Sequence, residues 1–173
     1  MPEVAAARAW EALAEVRTLH PQVRWLPQNK LHLTLVFLGP TDPGRVESIS
    51  AAVARVARSH QSFDVATGDA GGRLGGRGGG VAWLRLADGG RDVGQLSLEL
   101  DDAIGAHRYD ANNAPRPHLT VARGASEDAL VDLRHAADTL RITWSVDRAV
   151  LFRSHTDPRG SRYEELTSAS LSA

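Results

Sequence analysis

The chain has 173 residues, a formal charge of −1 from 20 basic and 21 acidic side chains, and no cysteine. That length suits one domain with a real core; the near-neutral charge excludes a protein that coats nucleic acid through general positive charge, and the missing cysteines exclude disulfides and thiolate metal sites. No apolar run reaches the roughly 20 residues needed to span a bilayer, and the charged, amphipathic N-terminal stretch lacks a signal peptide's apolar core, so a cytoplasmic protein with no membrane partner is expected.

In chain order, Glu3 to Leu19 places Val4, Ala7, Trp10, Leu13, Val16 and Leu19 on one helical stripe, which predicts a helix. VRWLP, Val23 to Pro27, predicts a short strand. LHLTLVFL, Leu31 to Leu38, predicts a second strand, with its leucines toward the core and His32, Thr34 and Val36 toward a cleft. A Thr/Asp cap, Pro43 near a first turn, and Val46, Ile49, Val53 and Val56 at helical spacing predict the next helix. SFDVATGDA predicts a strand, GGRLGGRGGG from Gly71 to Gly80 a flexible loop, and VAWLRL a strand. The glycine-rich loop lacks the GK[ST] ending and the strand–helix flanks of a phosphate-binding loop, so it is read as a hairpin connection. A helix is expected over Arg91 to Ala106, a strand over PHLTVAR, Pro117 to Arg123, and a helix over Ser126 to Leu140 with Ser126 as its cap. RITWSVDRAVLFRS and SRYEEL predict two further strands joined by a turn, HTDPRG. The order strand, motif strand, helix occurs twice, and short connections argue for antiparallel pairing. Residues 1–173 are therefore read as a single α+β domain of two lobes, internally duplicated.

Two tripeptides carry the chemistry. HLT occurs at His32 to Thr34 and again at His118 to Thr120, in a chain with seven histidines. On a strand, residues i and i+2 share a face, so each motif sets an imidazole beside a hydroxyl. Each offers one metal ligand and a poor neutral one, and His20, His60, His107, His135 and His155 are scattered without ligand spacing, so no metal or other cofactor is expected and those five are read as solvated or capping. No Gly-x-Ser-x-Gly elbow supports a serine nucleophile. Two imidazoles can instead divide the work of base and acid near neutral pH, which in-line displacement at phosphorus requires, while two threonine hydroxyls donate to phosphate oxygens.

With HLTLVFLG from His32 to Gly39, PHLTVAR, the VAWLRL strand and LFRSHTDPRGSRYEEL near the end, the sequence resembles the 2H phosphoesterase superfamily. Within it, the likeness is to the RNA 2′,3′-cyclic phosphodiesterases long described as bacterial 2′-5′ RNA ligases. The resemblance runs from about Trp25 to Leu166. It implies a bilobal α+β fold with two antiparallel sheets around a central cleft and helices outside. It further implies His32 as proton donor, His118 as proton acceptor, Thr34 and Thr120 as phosphate-binding residues, and Arg123 near phosphate. The implied substrates are RNA ends or small cyclic nucleotides. The expected activity is opening of 2′,3′-cyclic phosphates to 2′-phosphomonoesters. The alternatives are action on a 2′-5′ linkage, including ligation, and a noncatalytic RNA-end or nucleotide-binding module on the same fold.

Strict alternation sets Arg123 on the face of Leu119 and Val121, so it reaches the face of His118 only if the strand ends or bulges by Arg123. Arg116 has the parity of His118 and is equally a strand-entry residue. Members of the family open with an apolar strand, whereas this chain starts almost directly with the helix at Pro2, so either the start is placed too late or one lobe lacks a strand and presents an unpaired edge. A monomer is expected, with that edge as the place where a second chain would pair.

Overall fold

The structure is a computed structural model that describes residues 1–75, 80–110, 112–157 and 160–173. The chain divides into two compact units that alternate along the sequence. The first comprises Met1–Thr34, Asp64–Arg91 and Arg116–Ser145, and the second Leu35–Phe63, Asp92–Pro115 and Val146–Ala173.

The first unit is built on a five-stranded sheet with the order β1-β4-β3-β2-β5: β1 is Arg24–Trp25, β2 Phe63–Arg73, β3 Gly80–Asp88, β4 His118–Ala125 and β5 Thr143–Val146. The pairs β1–β4, β3–β4 and β2–β3 are antiparallel. Alternation decides the faces: Ala82 and Leu84 of β3 and Leu119 and Val121 of β4 are buried, while Val81, Trp83 and Arg85 and His118 and Thr120 point the other way. Helix α1, Glu3–Ala12, buries Ala5, Ala6 and Ala9, and α5, Glu127–Ala137, buries Ala129, Leu130 and Leu133. Both pack on the apolar side of the sheet: Leu13 beside α1 shares a small cavity with Val121, and Leu130 lies against Gly72. Ser126 caps α5 as expected, its Oγ accepting from the Ala129 amide at 3.3 Å.

The helix expected over Glu3 to Leu19 is broken at Leu13 into α1 and α2, Ala14–Leu19. The Arg17 guanidinium donates to the Trp10 carbonyl at 3.1 Å and lies 3.6 Å from the Trp10 ring centroid, so the carbonyl next to the break is satisfied.

The second unit packs α3, Val46–Ser59, and α4, Gly90–Ile104, with the antiparallel pair β6, Arg148–Asp157, and β7, Gly160–Ser170. Its core is Ile49, Val53, Val56 and Ala57 of α3, Leu96 and Leu100 of α4, and Ala149, Ala169 and Leu171. Pro43–Arg45 forms a 3₁₀ turn before α3, and the Asp42 carboxylate accepts from the Gly44 amide at 2.9 Å.

Three expectations need correction. Leu31 to Leu38 is not a strand: its one ladder contact is a bridge from Leu33 to Leu119. Beyond it, side chains take the backbone acceptors. Tyr109 Oη donates to the Leu35 carbonyl at 2.6 Å, and Arg108 Nη2 to the Leu38 carbonyl at 2.6 Å. Arg108 and Tyr109 are themselves held through their amides by the buried Asp101 carboxylate, at 2.9 to 3.1 Å. The duplicated strand is thus complete only at the second motif. The glycine-rich loop begins later than expected, because Gly71, Gly72 and Arg73 belong to β2; its residues 76–79 lie outside the described residues, as do Pro158 and Arg159 of the expected HTDPRG turn. Lastly, the stretch from Arg141 to Ser154 holds β5 and the first part of β6 rather than one strand.

Candidate active site

Both HLT motifs lie in the first unit. The bridge between Leu33 and Leu119 is antiparallel, so His32 falls opposite Thr120 and Thr34 opposite His118. Each imidazole therefore has its own motif's hydroxyl along the chain and the other motif's hydroxyl across from it. Leu119 is fully buried on the opposite face, and this is the side-chain alternation that turns the four polar groups away from the core.

The two imidazoles are anchored alike. His32 Nδ1 donates to the Lys30 carbonyl at 2.8 Å and His118 Nδ1 to the Arg116 carbonyl at 2.7 Å, in each case two residues back. A carbonyl can only accept, so Nδ1 carries the hydrogen in both rings and proton exchange with a substrate falls to Nε2. Burial is the main influence that lowers the pKa of His32 below the ordinary histidine value. The bond to Lys30 opposes it, and the charges of the N-terminal amine, Arg123 and His118 add to it.

Arg123 reaches this face through a bulge. Trp83 of β3 pairs with Thr120, but Ala82 pairs with Ala122, leaving Val121 as an extra residue in β4. Val121 and Ala122 are both buried in succession, and Arg123 is exposed. The Val121 carbonyl accepts from the Leu26 amide at 2.8 Å on the β1 side. The extra residue restores Arg123 to the side of His118 and Thr120.

Three residues join the motif face that sequence reasoning did not single out. Trp83 is the ladder partner of Thr120, and its ring lies 5.4 Å from that of His118, tilted by 50°. Arg85 is the partner of His118 and forms an ion pair with Asp69. Arg24 is the partner of Arg123. The signal for the first two was the alternation Val81, Trp83, Arg85, but which face they share with the motifs is a matter of cross-strand register. A cavity of about 320 Å³ opens beside Arg85, lined by Asp69, Gly71, Arg134 and Asp138 among others. None of the motif residues lines it, and its two arginines are matched by two carboxylates.

The remaining histidines are not all solvated or capping. His20 is buried with Nε2 2.8 Å from Asp132 of α5, His60 pairs with Glu99 at 2.9 Å and His155 with Glu164 at 2.7 Å. Among the described residues, no three His, Asp or Glu side chains gather as a metal-ligand set. No helix among them is long and apolar enough to cross a membrane.

The sequence profile described as the 2′-5′ RNA ligase superfamily matches residues 2–158. The chain belongs to that superfamily. Among its relatives is the RNA 2′,3′-cyclic phosphodiesterase of Thermotoga maritima, 27% identical over 146 residues, which are 82% of this chain and 76% of that one. The fold is similar to the crystal structure of TT0787 of Thermus thermophilus, 24% identical, with a TM-score of 0.77 over 99% of this chain and 93% of that one. It is similar also to Escherichia coli LigT complexed with 3′-AMP, 26% identical, with a TM-score of 0.74 over 100% of this chain and 94% of that one. The α+β architecture expected from the sequence is thus the architecture of the 2′-5′ RNA ligase superfamily.

Proposed function

We propose that this chain opens 2′,3′-cyclic phosphates at RNA ends or on nucleotides, giving a 2′-phosphomonoester, with His118 as general base and His32 as general acid. The observation that carries the reading is the identical anchoring of two imidazoles whose motifs pair antiparallel, each with a threonine hydroxyl beside it. Binding alone would need neither an acid nor a base. Support comes also from the superfamily, from the name of the Thermotoga maritima relative, and from the nucleotide complex of Escherichia coli LigT.

In the proposed step His118 Nε2 takes a proton from water as the water oxygen bonds to phosphorus in line with the departing 3′ oxygen. The bond from phosphorus to that oxygen breaks, and His32 Nε2–H protonates it. The two imidazoles exchange protons with solvent to restore their starting states. Thr34, Thr120 and Arg123 donate to the equatorial phosphate oxygens as negative charge builds there. The superfamily's description supports a second reading, action on a 2′-5′ linkage, including the reverse ligation.

The test is incubation with a nucleoside 2′,3′-cyclic phosphate in excess EDTA, with products identified by phosphorus NMR. The expected result is a 2′-monophosphate, with kcat/KM reduced by about 10²–10⁴-fold in either His32→Ala or His118→Ala. Loss of activity on chelation, restored by zinc or manganese, would replace this mechanism with a metal-assisted one. A 3′-phosphate product would reverse the two histidine roles.

A further inference from the structure

We infer that Arg24 is a second guanidinium on the reacting phosphate, placed on the side of His32 as Arg123 is placed on the side of His118. Each motif then brings the phosphate an imidazole, a hydroxyl and an arginine. This rests on the proposed reading of the motif face as the place where phosphate reacts.

Strand β4 has β3 on one edge and β1 on the other. Leu119 meets Leu84 of β3 on the first edge, so its bridge to Leu33 is made on the second, the edge that Arg24 occupies. The chain follows this edge from Arg24 to Leu26, whose amide donates to the Val121 carbonyl. It then leaves through the 3₁₀ turn Gln28–Lys30 and returns at Leu33. Arg24 therefore shares an edge with His32 and Thr34, and no strand lies between them. Along it Thr34 falls opposite His118, His32 opposite Thr120 and Arg24 opposite Arg123.

The six residues share one face. Val121 and Ala122 are both turned under the sheet, and Trp25 and Leu26 go under with them, lining one small cavity with Leu13, Leu31 and Val121. With two successive residues under the sheet on both chains, Arg24 and Arg123 emerge together on the face of His118 and Thr120. Thr120 faces Trp83 of β3 and Arg123 faces Val81, so the arginine pair stands about 7 Å along the strand from His32 and Thr120. An extended arginine stem covers that distance. The two arginines start level with each other, so a phosphate within reach of one is within reach of both.

Like charges directly opposed across a ladder repel, and the usual remedy is a carboxylate. Elsewhere on this sheet the remedy is present: Arg85 pairs with Asp69, and Arg141 with Asp88. Arg24 and Arg123 are both exposed, and among the described residues neither guanidinium has an ion-pair or hydrogen-bond partner. Two unmatched guanidiniums held side by side are an arrangement an anion stabilises, and a planar fork from each side suits the oxygens of one phosphate.

The experiment measures binding of inorganic phosphate, by calorimetry and imidazole NMR, and hydrolysis of adenosine 2′,3′-cyclic phosphate. The proteins are the wild type, Arg24→Gln, Arg24→Lys and, as a control for net charge, Arg8→Gln, an exposed residue of α1 on the other side of the sheet. In the wild type, phosphate should shift the ring signals of both His32 and His118. Arg24→Gln should weaken phosphate binding about tenfold and lower kcat/KM about 10- to 100-fold, and Arg24→Lys should recover part of both. Arg8→Gln should stay within about twofold of the wild type, since an exposed charge far from the site is screened. Unchanged phosphate affinity in a folded Arg24→Gln overturns the inference, as does an equal loss in Arg8→Gln. So does phosphate that binds through Arg24 without moving the histidine signals, which would put Arg24 on a different anion. Phosphate held by Arg24 at both histidines, in a wild type without hydrolysis, would sink the proposed reaction and leave Arg24 as a phosphate ligand of the motif face. Hydrolysis that Arg24→Gln leaves unchanged would keep the reaction and remove Arg24 from it.

Discussion

Gly71→Ala tests whether the indole of Trp83 fixes the imidazole of His118. Gly71 is the β2 partner of Trp83, and a Cβ built there would lie 2.5 Å from Trp83 Nε1 and 3.0 Å from Arg85 Nη2. The arginine tip can swing aside, but the indole must move by about 0.9 Å to reach ordinary contact distance. Movement away from β2 carries it toward β4, where the His118 ring lies 5.4 Å off. A displacement of about 1 Å at a reacting group can cost about 10²-fold in rate, and relaxation shared between the two rings lowers that, so kcat should fall by about 10- to 100-fold. The overpacking itself should cost about 1–3 kcal/mol of stability. Steady-state hydrolysis of a 2′,3′-cyclic nucleotide gives the rate, thermal melting reports folding, and imidazole NMR reports on the His118 ring. A folded variant whose kcat stays within about twofold of the wild type would refute the idea that Trp83 positions His118.

Thr34→Ala and Thr120→Ala should each reduce kcat/KM by less than either histidine substitution, about 10- to 100-fold, since each removes one neutral donor to phosphate; equality with the histidine variants would give the hydroxyls another role. The pH profile should carry the mark of His32. As the acid it must be protonated, so competence of the free enzyme is lost as pH rises through a pKa that burial, first of all, holds below the ordinary histidine value. In His118→Ala, where the base no longer titrates, the loss of residual kcat/KM with rising pH should therefore lie on the acidic side of that value, and the loss of kcat higher, because bound phosphate favours the imidazolium. A loss of residual kcat/KM above the ordinary histidine value in that variant would remove His32 from the acid role. Asp101→Ala should destabilise the protein by about 2–4 kcal/mol in urea titration, because the amides of Arg108 and Tyr109 lose their acceptor; a change below about 0.5 kcal/mol would mean that water replaces the carboxylate.

What could be read from the sequence was what local periodicity encodes. The four motif residues lie two apart on their own segments, and spacing alone predicts that each pair shares a face. The helices over Val46–Ser59, Gly90–Ile104 and Glu127–Ala137 follow from apolar spacing and, for α5, its Ser126 cap. What could not be read depends on partners distant in the chain. Leu35 to Leu38 alternates well enough for a strand, but Tyr109 and Arg108 occupy two of its carbonyls. Gly71 to Arg73 has a loop's composition, yet it continues β2, with Trp83 covering Gly71. Trp83, Arg85 and Arg24 were visible as residues but not as neighbours of the motif, because only the register of β4 with β3 and β1 brings them there.

The extra residue in β4 also changes how distance along that strand should be measured. Counted in residues, Arg123 stands five positions from His118, an odd number that belongs under the sheet. Counted in rungs against β3, where His118 meets Arg85 and Arg123 meets Val81, the separation is four, an even number that belongs on top. Deleting Val121 or Ala122 would bring the two counts into agreement and leave Arg123 where it is. Inserting a single residue between Thr120 and Arg123 is the change that would carry the guanidinium to the helix side, provided the insertion is absorbed into the pleat.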